Sequence, residues 1–541
     1  MSDDTPGADG ARGRGDAPDG DDAGGAVDPR PHPHGDRAYE WVGSLSARRA
    51  RLSPDRVAVT DTAAGEEYTY AELDERANRT ARFLRDVDVG SGDRVAVVSR
   101  NRVELLDLFF ATAKVGAVLA PLSHRLAERE LAAVLGDVDP ALLAVETPFE
   151  GDAVDALERA DVEPPVRAIA TDGDSAWRTL GDDLPDDGSP VETAAVSLAD
   201  PHLFLHTGGS TGTPKETVIS HGAIRWNAFN TITAWGLRED DVTPMVFPMF
   251  HTGGWNVLTV PFLQMGARIL LSPEVDPGRV LADAEREDAT TLVAVPAVLR
   301  MMARHDEWAE TDLSSLRFVK SGGGPCRESV IDAWRDRGVE ISQGYGLTEC
   351  GPNNFAMPDG FPPEKTASVG VPALAVDARV VDEDGPVPDG TVGELELAGP
   401  AAADRYWNNA EETAETFGDW VSTGDLARVD ADGYYHIEGR KKNMFVSGGE
   451  NVYPPRVEDA LTDHPGIEEA VVIGVPSDEW GTVGKAVLVG DESLTLDDLR
   501  SHLASRVARY AVPKGLAFVD EMPTSGPSKI DRTAIKDRFG K

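Results

Sequence analysis

One short run constrains this chain more than any other. Leu205-His206-Thr207-Gly208-Gly209-Ser210-Thr211-Gly212-Thr213-Pro214-Lys215-Glu216 gathers three glycines, four hydroxyls and one lysine between two apolar segments. That composition suits a loop that wraps phosphates. Glycines let consecutive backbone N–H groups turn toward an anion, hydroxyls add donors, and a lysine supplies a mobile positive charge. A Walker A loop is excluded, because Pro214 and Glu216 stand where that motif needs Gly before its lysine and Ser or Thr after it. Pro214 also prevents a helix from opening with the lysine in its first turn. Taken alone, such a run is more often a surface turn, so the remainder of the chain has to decide.

Five further stretches follow in order: Ser321-Gly322-Gly323-Gly324-Pro325, Gly344-Tyr345-Gly346-Leu347-Thr348-Glu349, Ser422-Thr423-Gly424-Asp425-Leu426, Gly439-Arg440-Lys441-Lys442-Asn443 and Pro523-Thr524-Ser525-Gly526-Pro527-Ser528-Lys529-Ile530. Together with the loop they resemble the motif set of the adenylate-forming superfamily, which holds acyl-CoA synthetases, peptide-synthetase adenylation domains and luciferases. Its loop is usually written TSGTTGxPKG; here Gly208 replaces Ser, Ser210 replaces Thr and Glu216 replaces the last Gly. Chance does not produce six ordered matches across more than 300 residues.

Charge narrows the partners. With 94 acidic and 52 basic residues the net charge is −42, a surface that nucleic acid and anionic membrane both repel. Lysine is scarce and arginine carries most of the positive charge. An acidic, lysine-poor surface suits a high-salt cytoplasm, where screening removes self-repulsion, so a haloarchaeal source is expected, with an ordinary acidic bacterial enzyme as the alternative. Cys326 and Cys350 are the only cysteines, which excludes a disulfide framework and fits a reducing cytoplasm. No apolar run reaches the ~18 residues that span a bilayer. The N-terminal stretch lacks the apolar centre of a signal peptide.

At 541 residues the chain is too long for one ordinary core. Residues 1–36 carry almost no bulky apolar side chain and are expected to be a disordered, acidic, glycine-rich tail. From 37 to 441 strands and helices alternate. Val57-Ala58-Val59-Thr60, Arg94-Val95-Ala96-Val97-Val98, Ala117 to Pro121, Arg268-Ile269-Leu270-Leu271 and Thr291 to Val295 read as strands, with helices over Ala71 to Leu84 and Val103 to Val115. This predicts a large α/β domain with mostly parallel sheets. Short alternating strands near Gly393-Glu394-Leu395-Glu396-Leu397 predict a β-rich subdomain. Residues 442–541 read as a small mobile α+β lid, with helices over Pro455 to Leu461 and Leu496 to Arg506.

Activating a carboxylate with ATP requires in-line attack on the α-phosphorus while charge accumulates on phosphate oxygens, so the protein must position and neutralise. The resemblance assigns Thr207, Gly208, Gly209, Ser210, Thr211, Gly212, Thr213 and Lys215 to the β- and γ-phosphates. Tyr345 offers an aromatic face to adenine, and Gly322, Gly323 and Gly324 allow close approach to the base. Thr348 is assigned to the α-phosphate and Glu349 to a Mg²⁺ that bridges phosphate oxygens. Asp425 is assigned to the ribose hydroxyls, Arg440 to ribose or phosphate, and Lys529 to the attacking carboxylate and the α-phosphate. The family's lid turns between two half-reactions about a pivot that falls on Lys442, with Asn443 in place of the usual Asp; Gly448 and Gly449 would then leave room for a pantetheine arm.

The second substrate names the activity. Coenzyme A is expected, since the chain ends 12 residues after Lys529 with no carrier domain appended. A freestanding adenylation enzyme that loads a carrier protein and a non-catalytic ATP-binding homologue are the alternatives. His251 stands where amino-acid-activating relatives place an acid for the ammonium, which disfavours an α-amino acid; it is expected to gate or line the acyl pocket. Trp226, Phe229, Trp255, Leu258, Val260 and Phe262 suggest an apolar acyl group, fatty or aryl. Monomer and homodimer are both compatible with the sequence.

Overall fold

All residues of the helix Val103–Val115 except Glu104 are buried, and its buried charges are paired, Asp107 with Arg76 and Lys114 with Asp74, as buried charges must be. The computed structural model describes residues 42–170, 175–207, 215–477, 480–525 and 529–540, with Ser525 and Lys529 described in backbone alone. The expected tail, 1–36, lies outside these residues. Around the central helix sits a core that draws Val59 and Ile269 from one sheet and Val97, Leu119 and Leu203 from another. Its companion helix, Tyr70–Asp86, opens with a reciprocal cap in which Thr69 and Glu72 satisfy each other's backbone N–H.

The larger sheet has six strands in the order Val166–Ile169, Leu142–Glu146, Arg94–Val98, Val118–Leu122, Pro201–Thr207 and Lys215–Ser220. The first five are parallel and the last pairs antiparallel, with Thr207 opposite Lys215. The outer side of Lys215–Ser220 is covered by the segment around Tyr406: Val218 N–H donates to the Arg405 carbonyl at 3.1 Å and Trp407 N–H to the Glu216 carbonyl at 2.7 Å. A four-stranded sheet carries Val57–Asp61 and Arg268–Leu271 in parallel. A parallel three-stranded sheet runs Thr291–Ala294, Phe318–Ser321, Ile341–Gln343. The fold class is therefore the one expected, α/β with mostly parallel pairing.

The β-rich subdomain is a five-stranded antiparallel sheet that includes Gly393–Ala398, Val421–Val429 and Tyr435–Arg440. Beyond it, Ile467–Ser477, Gly481–Gly490 and Gly515–Phe518 form a three-stranded sheet with helices Pro454–Thr462 and Leu496–Leu503 against it. The second of these helices stops three residues before Arg506, where the chain tightens into turns. Arg300 pairs with Glu469 at 2.9 Å, and Arg327 donates to the Glu468 carbonyl, so this C-terminal unit is tied to the α/β domain. No described helix is long and apolar enough to cross a membrane.

Candidate active site

In sheets of parallel strands, ligands collect outside the carboxyl ends. Three of the sequence motifs emerge there. Thr207 ends its strand and Lys215 begins the antiparallel return, so the loop between them leaves the sheet's carboxyl edge; Gly208, Gly209, Ser210, Thr211, Gly212 and Thr213 themselves lie outside the described residues. Ser321 ends its strand immediately before Gly322, and Gln343 ends the neighbouring strand immediately before Gly344. A Cβ at Gly322 or Gly324 would meet nothing within 4 Å, while Gly323 has φ +83°, a conformation that favours glycine. The turn thus presents bare backbone to open space, as a cradle for a flat base requires.

The β-rich subdomain supplies the next group. Asp425 and Arg440 face each other across two antiparallel strands, with Arg440 Nε 2.8 Å from Asp425 Oδ1. The Tyr345 hydroxyl donates to the other carboxylate oxygen at 2.5 Å. Asp425 N–H is itself tied to Thr423 Oγ1 at 3.1 Å, and Arg440 reaches the Thr423 carbonyl at 3.3 Å. Burial, reinforced by Asp425, holds the Tyr345 phenol well above its ordinary range, so it remains a donor. Three predicted residues from separate motifs are thus brought into one hydrogen-bonded group.

A second group surrounds Glu349. Thr348 is buried beside it, and Glu349 Oε1 accepts from the Tyr406 hydroxyl at 2.8 Å. Lys215 forms an ion pair with Glu412, and its ammonium lies 4.7 Å above the Tyr406 ring. Partial burial lowers the Lys215 pKa, Glu349 raises it, and Lys442 lowers it. Among the described residues no group of three potential metal ligands occurs. A single carboxylate with phosphate oxygens and water is the ligand set Mg²⁺ usually takes, so Glu349 fits that role without a protein cage.

Sequence reasoning missed Tyr406 and Glu412, which hold Glu349 and Lys215, because neither belongs to a motif. Lys320, two residues before Gly322, was also missed: it donates to Ser342 Oγ at 3.0 Å, and burial lowers it to about 8. Glu216 is buried, neither carboxyl oxygen has a hydrogen-bond partner among the described residues, and burial with some help from Asp137 raises it to about 8. The departure from glycine noted in the loop motif therefore places a buried acid directly after Lys215.

The acyl side requires a correction. Trp255 is fully buried, stacked on Phe109 at 4.7 Å, with its indole N–H donating to the Met249 carbonyl. Val260 and Phe262 are buried in the same core, whereas Trp226 and Phe229 form an edge-to-face pair at 42 % and 49 % exposure. The six apolar residues do not line one pocket. A π-helical turn runs over Gly253–Val257 and contains Trp255. His251 is exposed and its Nδ1 accepts from Gly253 N–H at 3.2 Å; burial, with a smaller effect of His251, lowers the nearby His206 to about 4.

In the C-terminal unit, the Lys529 backbone pairs with Ser525 in a short antiparallel pair of strands; its side chain and residues 526–528 lie outside the described residues. Lys442 sits exposed in the short turn Lys441–Asn443. Gly448 (φ +61°) does not face an empty channel: a Cβ there would lie 2.6 Å from the Trp480 ring. Gly449 is open.

With this geometry the relatives agree. The AMP-binding enzyme family matches residues 46–407, and the AMP-binding enzyme C-terminal domain matches 456–529. The chain belongs to the AMP-binding enzyme family. A feruloyl-CoA synthase from an Amycolatopsis species is 39% identical over 505 residues, 93% of this chain and 99% of the relative. ATP-bound MatB from Rhodopseudomonas palustris superposes with a TM-score of 0.84 at 29% identity, covering 92% of this chain and 99% of that one. The anthranilate CoA ligase AuaEII with anthranoyl-AMP gives 0.85 at 26% identity, covering 92% and 97%.

Proposed function

We propose that this protein is an ATP-dependent, AMP-forming carboxylic acid–CoA ligase acting on an aryl acid. The observation that carries the reading is the Tyr345–Asp425–Arg440 group beside the open Gly322–Gly324 turn. It joins an aromatic ring, a carboxylate able to accept from a diol and a guanidinium at one place, which is what an adenosine monophosphate moiety asks for. The aryl preference rests on relatives that act on ferulate and anthranilate.

In the first half-reaction a carboxylate oxygen attacks the α-phosphorus and the bond to the β-phosphate oxygen breaks, giving acyl-AMP and pyrophosphate. Thr207, Ser210, Thr211, Thr213 and Lys215 hold the β- and γ-phosphates. Glu349 would hold Mg²⁺, which would neutralise phosphate charge. Thr348 contacts the α-phosphate, and Lys529 bridges it to the attacking carboxylate. In the second, the thiol of coenzyme A attacks the acyl carbonyl and AMP leaves. Residues 37–441 form the adenylation domain and 442–541 the lid, which turns about Lys442. His251 gates the acyl site. The source is a haloarchaeon and the setting its cytoplasm, where screening offsets the −42 charge.

A panel of carboxylic acids with ATP, Mg²⁺ and CoA, run from dilute buffer to molar KCl, tests this. Pyrophosphate exchange into ATP should require an aryl acid, AMP and acyl-CoA should be the products, and activity should rise with KCl. ADP as product overturns the adenylate mechanism, and full activity in dilute buffer overturns the haloarchaeal source.

A further inference from the structure

The helix His221–Trp235 contains no Asp or Glu, in a chain with 94 acidic residues. One of its faces is fixed inside the α/β domain. Ile224, Ala228 and Thr231 are buried, Asn227 Nδ2 donates to the Asn256 carbonyl at 2.6 Å, and Asn230 Nδ2 donates to the Asn353 carbonyl at 3.1 Å. The opposite face carries Trp226 and Phe229, whose rings meet edge to face at 5.7 Å and remain partly bare. A helix that is apolar on both sides is ordinarily covered on both.

The bare face extends beyond the helix. Ala375 N–H donates to Asn230 Oδ1 at 3.0 Å, which brings the loop around Leu374 against the helix, and Leu374 is 78 % exposed. Residues 365–376, which carry this loop, again contain no Asp or Glu. Two aromatic rings and a leucine at one acid-free place match the centre of a protein–protein contact, where charge is depleted and aromatic side chains supply most of the affinity.

Charge identifies the occupant. A basic partner would be drawn to the acidic remainder of the surface, and an anionic membrane would be repelled by it. Residues 1–36 offer no cover, since they hold almost no bulky apolar side chain. Another copy of the chain carries the same −42 and approaches at least cost where neither surface is acidic, which is what this face supplies. We propose that the face formed by Trp226, Phe229 and Leu374 joins two copies of this chain in a two-fold symmetric dimer. The helices His221–Trp235 pack side by side, so that Trp226 meets Phe229 of the partner subunit, and the symmetry makes that contact twice.

Sedimentation velocity in molar KCl tests this, and the wild type should be a dimer at micromolar concentration. Trp226→Ser or Phe229→Ser should raise the dimer dissociation constant about a hundredfold, because each ring is used twice, and Trp226→Phe should keep most of the affinity. Since the contact is apolar and the repulsion is electrostatic, the dimer should loosen in dilute buffer and hold as KCl rises. Both native cysteines are buried, so a short bis-maleimide should join two copies of Phe229→Cys. It should not join Val154→Cys, exposed on the helix Glu150–Ala160 at the other edge of the six-stranded sheet. Cross-linking decides even where a serine variant fails to fold. A wild type that is monomeric at every KCl concentration overturns the proposal, as does a dimer whose constant the serine variants leave unchanged. A wild type that stays monomeric and sediments with anionic vesicles overturns it in favour of a membrane face.

Discussion

The two sides of the candidate site are built in opposite ways. On the α/β side the charged groups of the motifs are held by neighbours: Asp425 holds Tyr345 and Arg440, Tyr406 holds Glu349, and Glu412 holds Lys215. On the C-terminal side, Lys442 is exposed, Lys514 is without a carboxylate among the described residues, and Trp480 is partly bare. Hydrogen bonds to a charged group fix its position and contribute about 1.5–3 kcal/mol each. A side so interlocked presents fixed donors and acceptors and reorganises little on binding, as electrostatic catalysis favours. Exposed cations such as Lys442 and Lys514 are held by fewer bonds and can take new partners.

Separating the two half-reactions would break this contrast most directly. Lys529→Ala should lower acyl-adenylate formation by about 100-fold or more, the effect of losing a charge partner in the transition state, while supplied acyl-adenylate is still converted to acyl-CoA. Lys442→Pro should do the reverse, since a fixed φ permits one lid orientation and obstructs the other. Single-turnover assays on both variants decide, and equal loss of both steps in both variants would mean a static site.

A smaller effect sharpens the picture of the fixed side. Glu349→Gln should raise the Mg²⁺ concentration for half-maximal adenylation by about tenfold, near the lower end of the cost of losing a charged hydrogen-bonding partner. Tyr406→Phe should raise it about threefold, because it only releases the carboxylate that Tyr406 orients. Equal effects of the two changes would mean that Tyr406 meets the nucleotide itself.

The smallest effect is a pH signature. The folded chain keeps a proton on Glu216 up to about 8, whereas the unfolded chain releases it near the ordinary 4.5. Stability credited to this neutral acid is thus complete below about 4.5 and is lost as pH rises through about 8. Glu216→Gln is neutral throughout, so its melting temperature relative to the wild type should climb by about 3 °C between pH 5 and pH 8.5. Scanning calorimetry at the two values measures it, and a difference independent of pH would show that Glu216 finds a partner.

Much of the α/β side was legible in the sequence because its residues sit in motifs and its strands are continuous apolar runs such as Arg94–Val98. The pairing of Asp425 with Arg440 follows from strand register, which the motifs do not encode. Tyr406 lies 57 residues from the Glu349 it holds, outside any motif, so only tertiary packing reveals it. The acyl side misled because hydrophobicity marks burial without saying where: Trp255, on a π-helical turn, and Phe262 both went to the core. On the lid, the glycine pair was legible as a special backbone but not as the seat of an indole 32 residues on, since close approach is visible only in space.

The segment from Arg405 to Trp407 that lies along the strand Lys215–Ser220 has a consequence for the protein's behaviour at high concentration. Without it the six-stranded sheet would end in a row of unsatisfied backbone groups, a template on which a strand of another molecule can grow. Acidic proteins commonly keep apart by mutual repulsion, and concentrated salt removes that protection. Here the edge is sealed by the chain's own backbone, a safeguard against aggregation that ionic strength does not screen.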